Sequence, residues 1–210
     1  MLRASSAYAG LVNELVRDGY DRIAKSYAAD RSRFQGQTYL ERFVALLPPN
    51  GRVLDVGCGA GLPSAQFLME LGFSVTGLDI SSRMIELART NVPSGVFEVR
   101  DMLSLRPHEY EVDGIVALYS VFHVHREEHE GLLRVLRSYL QPDRAILVTM
   151  GADEWEGTEP DFHGAEMFWS HFGPEHNRSI LRSAGFKIEL DEIDTSGGER
   201  HQVLLARVQA

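Results

Sequence analysis

The amino-acid sequence predicts an α/β protein with a doubly wound seven-stranded sheet, mostly parallel, and helices on both faces. Three observations predict this fold. Short apolar segments alternate with amphipathic ones from residue 52 onward, as in sheets whose parallel strands are connected by helices. Short turns, several with glycine, separate them. Only the last two apolar segments are joined by a turn of hairpin length, residues 194–198, so the last strand should run antiparallel.

Three helices are expected before the first strand. Apolar residues at helical spacing predict a helix over residues 1–19, which Gly19 should end, and a second helix over residues 20–29. A third helix is expected over residues 37–47, because two prolines follow it directly. We expect these N-terminal helices, residues 1–47, to precede the sheet.

The remaining elements alternate along the chain. The predicted strands are residues 52–56, 74–78, 96–100, 113–118, 145–150, 186–193 and 202–208. The predicted helices are residues 62–71, 82–91, 127–140 and 174–184. Ser81 or Ser82 is suited to cap the second of these, and Gly72 and Gly185 follow two others. No repeat or linker interrupts the pattern, so residues 1–210 are expected to form one domain.

Composition excludes several classes of function. The chain has 30 acidic residues against 21 basic ones, a formal net charge of −9, and no local basic patch, which disfavours nucleic acid as a partner. No apolar run approaches the roughly 20 residues that cross a bilayer, so no membrane association is expected. Cys58 is the single cysteine and cannot form an internal disulfide, which favours a reducing, cytoplasmic location.

A glycine-rich turn follows the first predicted strand and precedes a helix. Glycines alternate from Gly57 to Gly61, so the backbone can approach a ligand closely there. Acidic residues stand at the ends of three successive strands: Asp55, Asp79 and Asp101. Open α/β sheets bind ligands at the carboxyl ends of their strands. Asp79 lies 22 positions after Gly57, where a carboxylate can accept both hydroxyls of a ribose.

These segments resemble the class I S-adenosylmethionine-dependent methyltransferases, a resemblance that covers roughly residues 20–150. The matching segments are residues 55–61, 77–81, 100–102 and 113–120. The resemblance implies a Rossmann-like sheet, S-adenosyl-L-methionine as the cofactor, and transfer of its methyl group to an oxygen or nitrogen of a small-molecule acceptor. The protein would be an enzyme, either a monomer or a homodimer.

The resemblance also implies roles for individual residues. Asp55 would orient the ammonium group of the cofactor, Asp79 would hold its ribose, and Asp101 would meet the edge of its adenine. The other residues carried over by position are Gly57, Cys58, Gly59 and Gly61 in the glycine turn, Ile80, Met84 and Met102 around the adenine, Tyr119 and Ser120 at the point of methyl transfer, and Tyr20 and Tyr27 in the helices that close over the cofactor.

Alternative interpretations remain for several of these residues. Asp101 could cap a helix, Met84 could be part of the core, and the two N-terminal tyrosines could be ordinary residues of an amphipathic helix. The glycine turn could instead serve an NAD-type oxidoreductase, although Leu62 stands where the dinucleotide pattern Gly-x-Gly-x-x-Gly requires glycine. A non-catalytic, cofactor-binding partner subunit is a further alternative.

The long connection over residues 151–173 is expected to form a lid over the acceptor. It holds both tryptophans, Trp155 and Trp169, together with several acids that would favour a cationic acceptor. The alternative is a helix packed by its aromatic residues. His163 in this segment and His201 would also line the acceptor pocket. His123, His163 and Tyr119 are the candidate catalytic residues, because a neutral imidazole can accept a proton near pH 7. No metal site is expected.

Overall fold

A computed structural model describes residues 6–31, 37–196 and 198–209. The helices are α1 (Ser6–Arg31), α2 (Gln37–Val44), α3 (Ser64–Glu70), α4 (Ser82–Asn91), α5 (His129–Arg137) and α6 (Pro174–Ser183). The strands are β1 (Arg52–Val56), β2 (Ser74–Asp79), β3 (Val96–Val99), β4 (Val112–Ala117), β5 (Leu140–Gly151), β6 (Trp155–Phe162), β7 (Ala165–His171), β8 (Phe186–Asp194) and β9 (His201–Val208).

The central sheet has seven strands in the order β3-β2-β1-β4-β5-β9-β8. Its neighbouring strands pair in parallel except for β9, which runs antiparallel to both β5 and β8. The predicted α/β fold and its antiparallel last strand are therefore confirmed. The strand order reverses direction between β1 and β4, and in such sheets a crevice opens at the carboxyl ends of the two strands at this point.

Both faces of the sheet are buried, because alternate residues of each strand point to opposite sides. On one side, Leu54 and Ile115 belong to the apolar cluster that also contains Leu133 of α5. On the other side, Val53 belongs to the cluster that contains Leu68 of α3. This two-sided packing explains why the central strands are almost entirely apolar in sequence.

The N-terminal region differs from the prediction, because α1 continues through Gly19 to Arg31. Residues 1–5 of the predicted first helix lie outside the described residues. Gly19 does not end the helix but lets β7 approach it: a Cβ at this position would lie 2.9 Å from Cε of Met167 and 3.0 Å from the carbonyl oxygen of Glu166. The glycine therefore serves close packing between two elements.

The segment over residues 151–173 contains a β-hairpin, so the alternative interpretation of this segment as a helix was wrong. β6 and β7 pair antiparallel around the two-residue turn His163–Gly164, in which both residues have positive φ, as in a type I′ turn. Phe168 and Met167 of this hairpin are buried in a cluster with α1 residues and with Met84 of α4. The hairpin and α1 thus pack together.

Several other boundaries differ, most of all around β5. The helix predicted over residues 127–140 ends at Arg137, and β5 begins at Leu140 rather than at residue 145. Pro142 lies inside this strand, at the irregularity between the pairs Val112–Leu140 and Gly114–Ala145. A proline is compatible with a strand at such an irregularity, because no ladder hydrogen bond from its nitrogen is needed there. Among the helices of the described ranges, none is long and apolar enough to cross a membrane.

Candidate functional site

The glycine turn connects the ends of three strands. The backbone N–H groups of Gly57 and Cys58 both donate to the carbonyl oxygen of Leu78, at 2.7 and 2.9 Å. Gly57 has a φ of +76°, and a Cβ there would overlap the side chain of Ser120. The Ser120 hydroxyl in turn donates to the carbonyl oxygen of Val56 at 2.7 Å. The turn is therefore held between β2 and the segment that follows β4.

Asp79, at the end of β2, is fixed by backbone N–H groups. Its Oδ2 accepts from Gly59 at 2.8 Å, and its Oδ1 accepts from Ser81 at 2.9 Å. Burial raises the pKa of this carboxyl to about 6, although the two backbone donors oppose that shift. The side chain is thus held in one orientation beside the turn.

Asp55, in β1, is only 2% exposed. Its Oδ2 has no hydrogen-bond partner among the residues that the structure describes. Burial and, as the smaller cause, the nearby charge of Asp79 raise the pKa of this carboxyl to about 7. A buried carboxylate with an unsatisfied oxygen is stabilised by a positively charged group, so Asp55 fits the ammonium of an amino-acid moiety.

These residues face one cleft at the carboxyl ends of β1, β2 and β4, of about 850 Å³ including the part open to solvent. The predicted cofactor residues that line it are Tyr20, Tyr27, Asp55, Gly57, Cys58, Gly59, Asp79, Ile80, Met84, Met102, Tyr119 and Ser120. Val16 also lines the cleft and was not predicted. It lies one helical turn before Tyr20 on the same face of α1, so the helical period contained the signal.

Two predicted cofactor residues do not line the cleft. Gly61 packs against α4, since a Cβ there would lie 3.2 Å from Val92 and 3.5 Å from Ala88. Asp101 accepts from the backbone N–H of Leu103 at 2.8 Å and from the amide of Asn13 at 2.6 Å. Its side chain therefore caps the short helix that follows β3, as in the alternative interpretation, and links it to α1.

His123 lines the cleft, is buried and connects three elements. Its Nδ1 lies 2.9 Å from the carbonyl oxygen of Phe168, and its Nε2 lies 2.7 Å from the hydroxyl of Tyr20. Because a carbonyl only accepts, Nδ1 must donate and Nε2 must accept from Tyr20. Burial lowers the pKa of His123 to about 4. The imidazole is thus neutral near pH 7 and holds Tyr20 of α1 against β7.

A second cavity, of about 560 Å³ including open solvent, adjoins the first. Both are lined by Tyr27 and Tyr119. The other residues that line the second cavity are Asp30, Phe122, Phe162, His163, Trp169, Glu199 and His201. Three of the four predicted acceptor residues therefore meet here.

Trp155 is the exception among the predicted acceptor residues. It does not line this cavity and is 43% exposed, near His171 on the hairpin. Trp155 pairs with His171 and Gly157 pairs with Trp169, so the two tryptophans lie on the same face of the hairpin, with Trp155 two residues farther from the His163–Gly164 turn.

The described residues contain no group of three or more His, Cys, Asp or Glu side chains placed to hold a metal ion. His129 is fully buried, and burial lowers its pKa to about 4. Its Nε2 lies 3.3 Å from the carbonyl oxygen of Val124. His129 therefore belongs to the packing of α5.

The fold and the position of the cleft are those of doubly wound α/β proteins, which bind ligands at the strand-order reversal. Residues 53–143 match the family model of the methyltransferase domain. The O-methyltransferase cnsE of Penicillium expansum is 28% identical over 157 residues, which cover 69% of this chain and 55% of that protein. The ubiquinone biosynthesis O-methyltransferase of Xanthomonas axonopodis is 28% identical over 177 residues, 75% of this chain and 70% of that protein.

Among solved structures, the 1,6-didemethyltoxoflavin-N1-methyltransferase of Burkholderia thailandensis shares the fold with a TM-score of 0.76 at 18% identity, covering 100% of this chain and 92% of that one. The chain spans about half the length of most curated relatives that it matches. Over residues 53–143 the chain is similar to the methyltransferase domain, and it shares the fold of solved S-adenosylmethionine-dependent methyltransferases.

Proposed function

We propose that this protein transfers the methyl group of S-adenosylmethionine to an oxygen or nitrogen of a small-molecule acceptor. One observation carries the proposal: the cleft that holds Asp55 and Asp79 adjoins an aromatic cavity, and Tyr27 and Tyr119 line both. A cofactor in the first cavity and an acceptor in the second would meet at these two tyrosines. Adjoining sites of this kind are what direct transfer between two bound molecules requires.

The cleft residues would hold the cofactor, which supplies an electrophilic methyl group on a sulfonium. Asp55 offers its unsatisfied oxygen to the ammonium of the methionine moiety. Asp79 would accept from the ribose hydroxyls, beside the turn that its own hydrogen bond to Gly59 orients. Apolar contacts to the adenine would come from Ile80, Met84 and Met102, which line the cleft.

Residues of the second cavity would position the acceptor and exclude water from it. The acceptor's lone pair forms the new bond to the methyl carbon while the carbon–sulfur bond breaks and its electron pair stays on sulfur. The proton that the acceptor loses goes to a base. His163 is the candidate base, because its Nδ1 lies 3.4 Å from Oδ2 of Asp30, a carboxylate that stabilises the protonated ring.

The two other candidate catalytic residues, Tyr119 and His123, would position other groups at the site. Tyr119 stands where the two cavities meet, and its hydroxyl donates to Oδ2 of Asp194 at 3.4 Å. His123 would hold the Tyr20 hydroxyl, because the imidazole that accepts from it is buried and neutral. Both residues would shape the point of transfer without taking a proton from the acceptor.

Binding of the cofactor separates this proposal from its alternatives. We expect S-adenosylmethionine and its demethylated product to bind in calorimetry with dissociation constants in the micromolar range, and NAD to show no binding, because its pyrophosphate would meet the Asp55 carboxylate. Binding of NAD alone would establish the oxidoreductase alternative. Cofactor binding with turnover of phenol and amine acceptors only after a second chain is added would establish the partner-subunit alternative.

The two tryptophans test the position of the acceptor. Trp169 lines the second cavity, with its ring centroid 4.4 Å from that of His123 and 5.1 Å from that of Phe162, whereas Trp155 lies outside it. We expect Trp169→Ala to lower kcat/KM for the acceptor at least about 10-fold through lost apolar contact, and Trp155→Ala to change it less than about 2-fold.

The measurement is turnover with an acceptor found among phenols and aromatic amines. Cofactor affinity and thermal unfolding serve as controls. If Trp169→Ala does not fold, Trp169→Phe serves as the milder substitution. Equal effects of the two alanine substitutions on kcat/KM would contradict the placement of the acceptor in this cavity.

A further inference from the structure

We infer that the acceptor is an aromatic molecule that carries a protonated amine, with its ring among the aromatic side chains of the second cavity and its cation facing Asp30 and Glu199. The inference rests on the proposed methyl transfer and specifies the class of acceptor. It follows from three properties of the described lining residues: the shape of the aromatic wall, the sign of the charge, and one unsatisfied donor.

The wall is made of rings that meet edge to face or at a tilt. The centroid of Trp169 lies 5.3 Å from that of Phe122 and 5.1 Å from that of Phe162, with interplanar angles of 37° and 84°. His201 stacks on Phe122 at 5.5 Å. Ring edges and faces at such angles suit a flat aromatic ligand, which gains contact with several of them at once.

The charge at this cavity is negative. Asp30 and Glu199 line it with side chains 55% and 66% exposed, so they stand at its solvent side. None of the described lining residues is a lysine or an arginine. The ionic partners within 4.0 Å are imidazoles: His163 lies 3.4 Å from Asp30, and His201 lies 3.6 Å from Glu199. Among the residues that the structure describes in this lining, no permanently charged cation therefore offsets the two carboxylates.

The acids of the hairpin are not the source of this charge. Glu154 and Glu156 lie 2.9 and 3.6 Å from the guanidinium of Arg126, outside the cavity. The negative electrostatic field at the cavity comes instead from Asp30 and Glu199, which are far apart in sequence. An ammonium group at its mouth would interact with both carboxylates, and with aromatic faces as well.

Trp169 also has an indole N–H that is buried and has no hydrogen-bond partner among the described residues. A buried donor without a partner costs free energy, and that cost is recovered when binding brings an oxygen within hydrogen-bond distance of the nitrogen. A phenolic amine supplies all three complements: an aromatic ring, an oxygen and a cation. A phenolic acid supplies the ring and the oxygen but places a carboxylate opposite Asp30 and Glu199.

Tyramine and 4-hydroxyphenylacetate form the matched pair of probes, because they share the phenol and differ in the sign of the side-chain charge. Each is titrated into the protein saturated with S-adenosylhomocysteine, so that binding is measured without turnover. We expect tyramine to bind at least about 10-fold more tightly at low ionic strength. The preference should shrink at 0.5 M salt, where charges at exposed positions are screened.

The variant Asp30→Asn/Glu199→Gln should reduce the preference for tyramine to less than about 3-fold, while Glu175→Gln, on the exposed side of α6, should leave it unchanged. Equal or tighter binding of 4-hydroxyphenylacetate, a preference that persists in the double variant, or binding of neither probe to the S-adenosylhomocysteine complex would overturn the inference. Failure of S-adenosylhomocysteine itself to bind would instead overturn the proposed function.

Discussion

Replacing Gly57 with alanine is expected to lower the free energy of unfolding by about 3 kcal/mol and to weaken S-adenosylmethionine binding more than about 100-fold. Two costs combine at this position. Overpacking against a rigid neighbour costs typically 1–3 kcal/mol, and the new Cβ would overlap the side chain of Ser120. A φ of +76° adds roughly 1 kcal/mol for any residue with a Cβ. The turn must shift, and the cleft shifts with it.

Gly59→Ala is the matched control for stability. Gly59 also has a positive φ, +53°, but a Cβ there would have no atom within 4 Å. Denaturant unfolding without cofactor should therefore show a loss of only about 1 kcal/mol, the conformational cost alone. Adding Ser120→Gly to Gly57→Ala should recover part of the lost stability, because it removes the overlapping side chain. Equal losses in the two single variants, with no recovery in the double variant, would show that the overlap is not the cause.

Replacing Asp55 with asparagine is expected to change binding and stability in opposite directions. Affinity for S-adenosylmethionine should fall about 10- to 100-fold, because the ammonium loses a buried ionised partner. Stability without cofactor should rise at pH 8 by a few kcal/mol at most, on the order of 1.4 kcal/mol for each unit by which folding raises the pKa of the carboxyl. Binding and stability are thus in conflict at this residue.

The pH dependence gives the sign of the second effect. The pKa of Asp55 is about 7 in the folded state against 3.8 for an unperturbed carboxyl, so protonation of Asp55 favours the folded state. The free energy of unfolding should fall as the pH rises from about 4 to about 7. Above that range the contribution of Asp55 should stay constant. In Asp55→Asn the free energy of unfolding should decline less over this pH range. The decline that remains comes from Asp79, whose pKa is about 6.

Cofactor affinity of the unmodified protein should fall with decreasing pH below about 7, since the ammonium binds the ionised carboxylate. Calorimetry and denaturant unfolding at pH 6 and pH 8 measure both quantities. Asp113→Asn, at the opposite end of the sheet in β4, is the control for affinity and should leave it unchanged. An Asp55→Asn variant that binds cofactor as tightly as the unmodified protein would contradict the assignment of Asp55 to the ammonium.

The interpretation of the sequence succeeded where the signal is local. The bounds of β1 and α4 and the cap at Ser81, which accepts from the backbone N–H of Met84, follow from patterns a few residues long. It was wrong for Gly19, because the glycine is needed by the approach of β7, 148 positions away, and not by the end of a helix. It missed the hairpin, because the His163–Gly164 turn is a weak signal beside aromatic residues that also fit a helix.

The sequence by itself determined the α/β fold, the order of the seven sheet strands along the chain and the glycine turn that follows β1, because burial periodicity and backbone conformation depend on near neighbours. Only the tertiary structure decided which side chains share a site. Tyr20 meets His123 across 103 positions, Asp101 turns to Asn13, and Asp30 and Glu199 face one cavity from opposite ends of the chain. Such contacts arise from the packing of α1 and the hairpin over the sheet, and no pattern within a short segment encodes them.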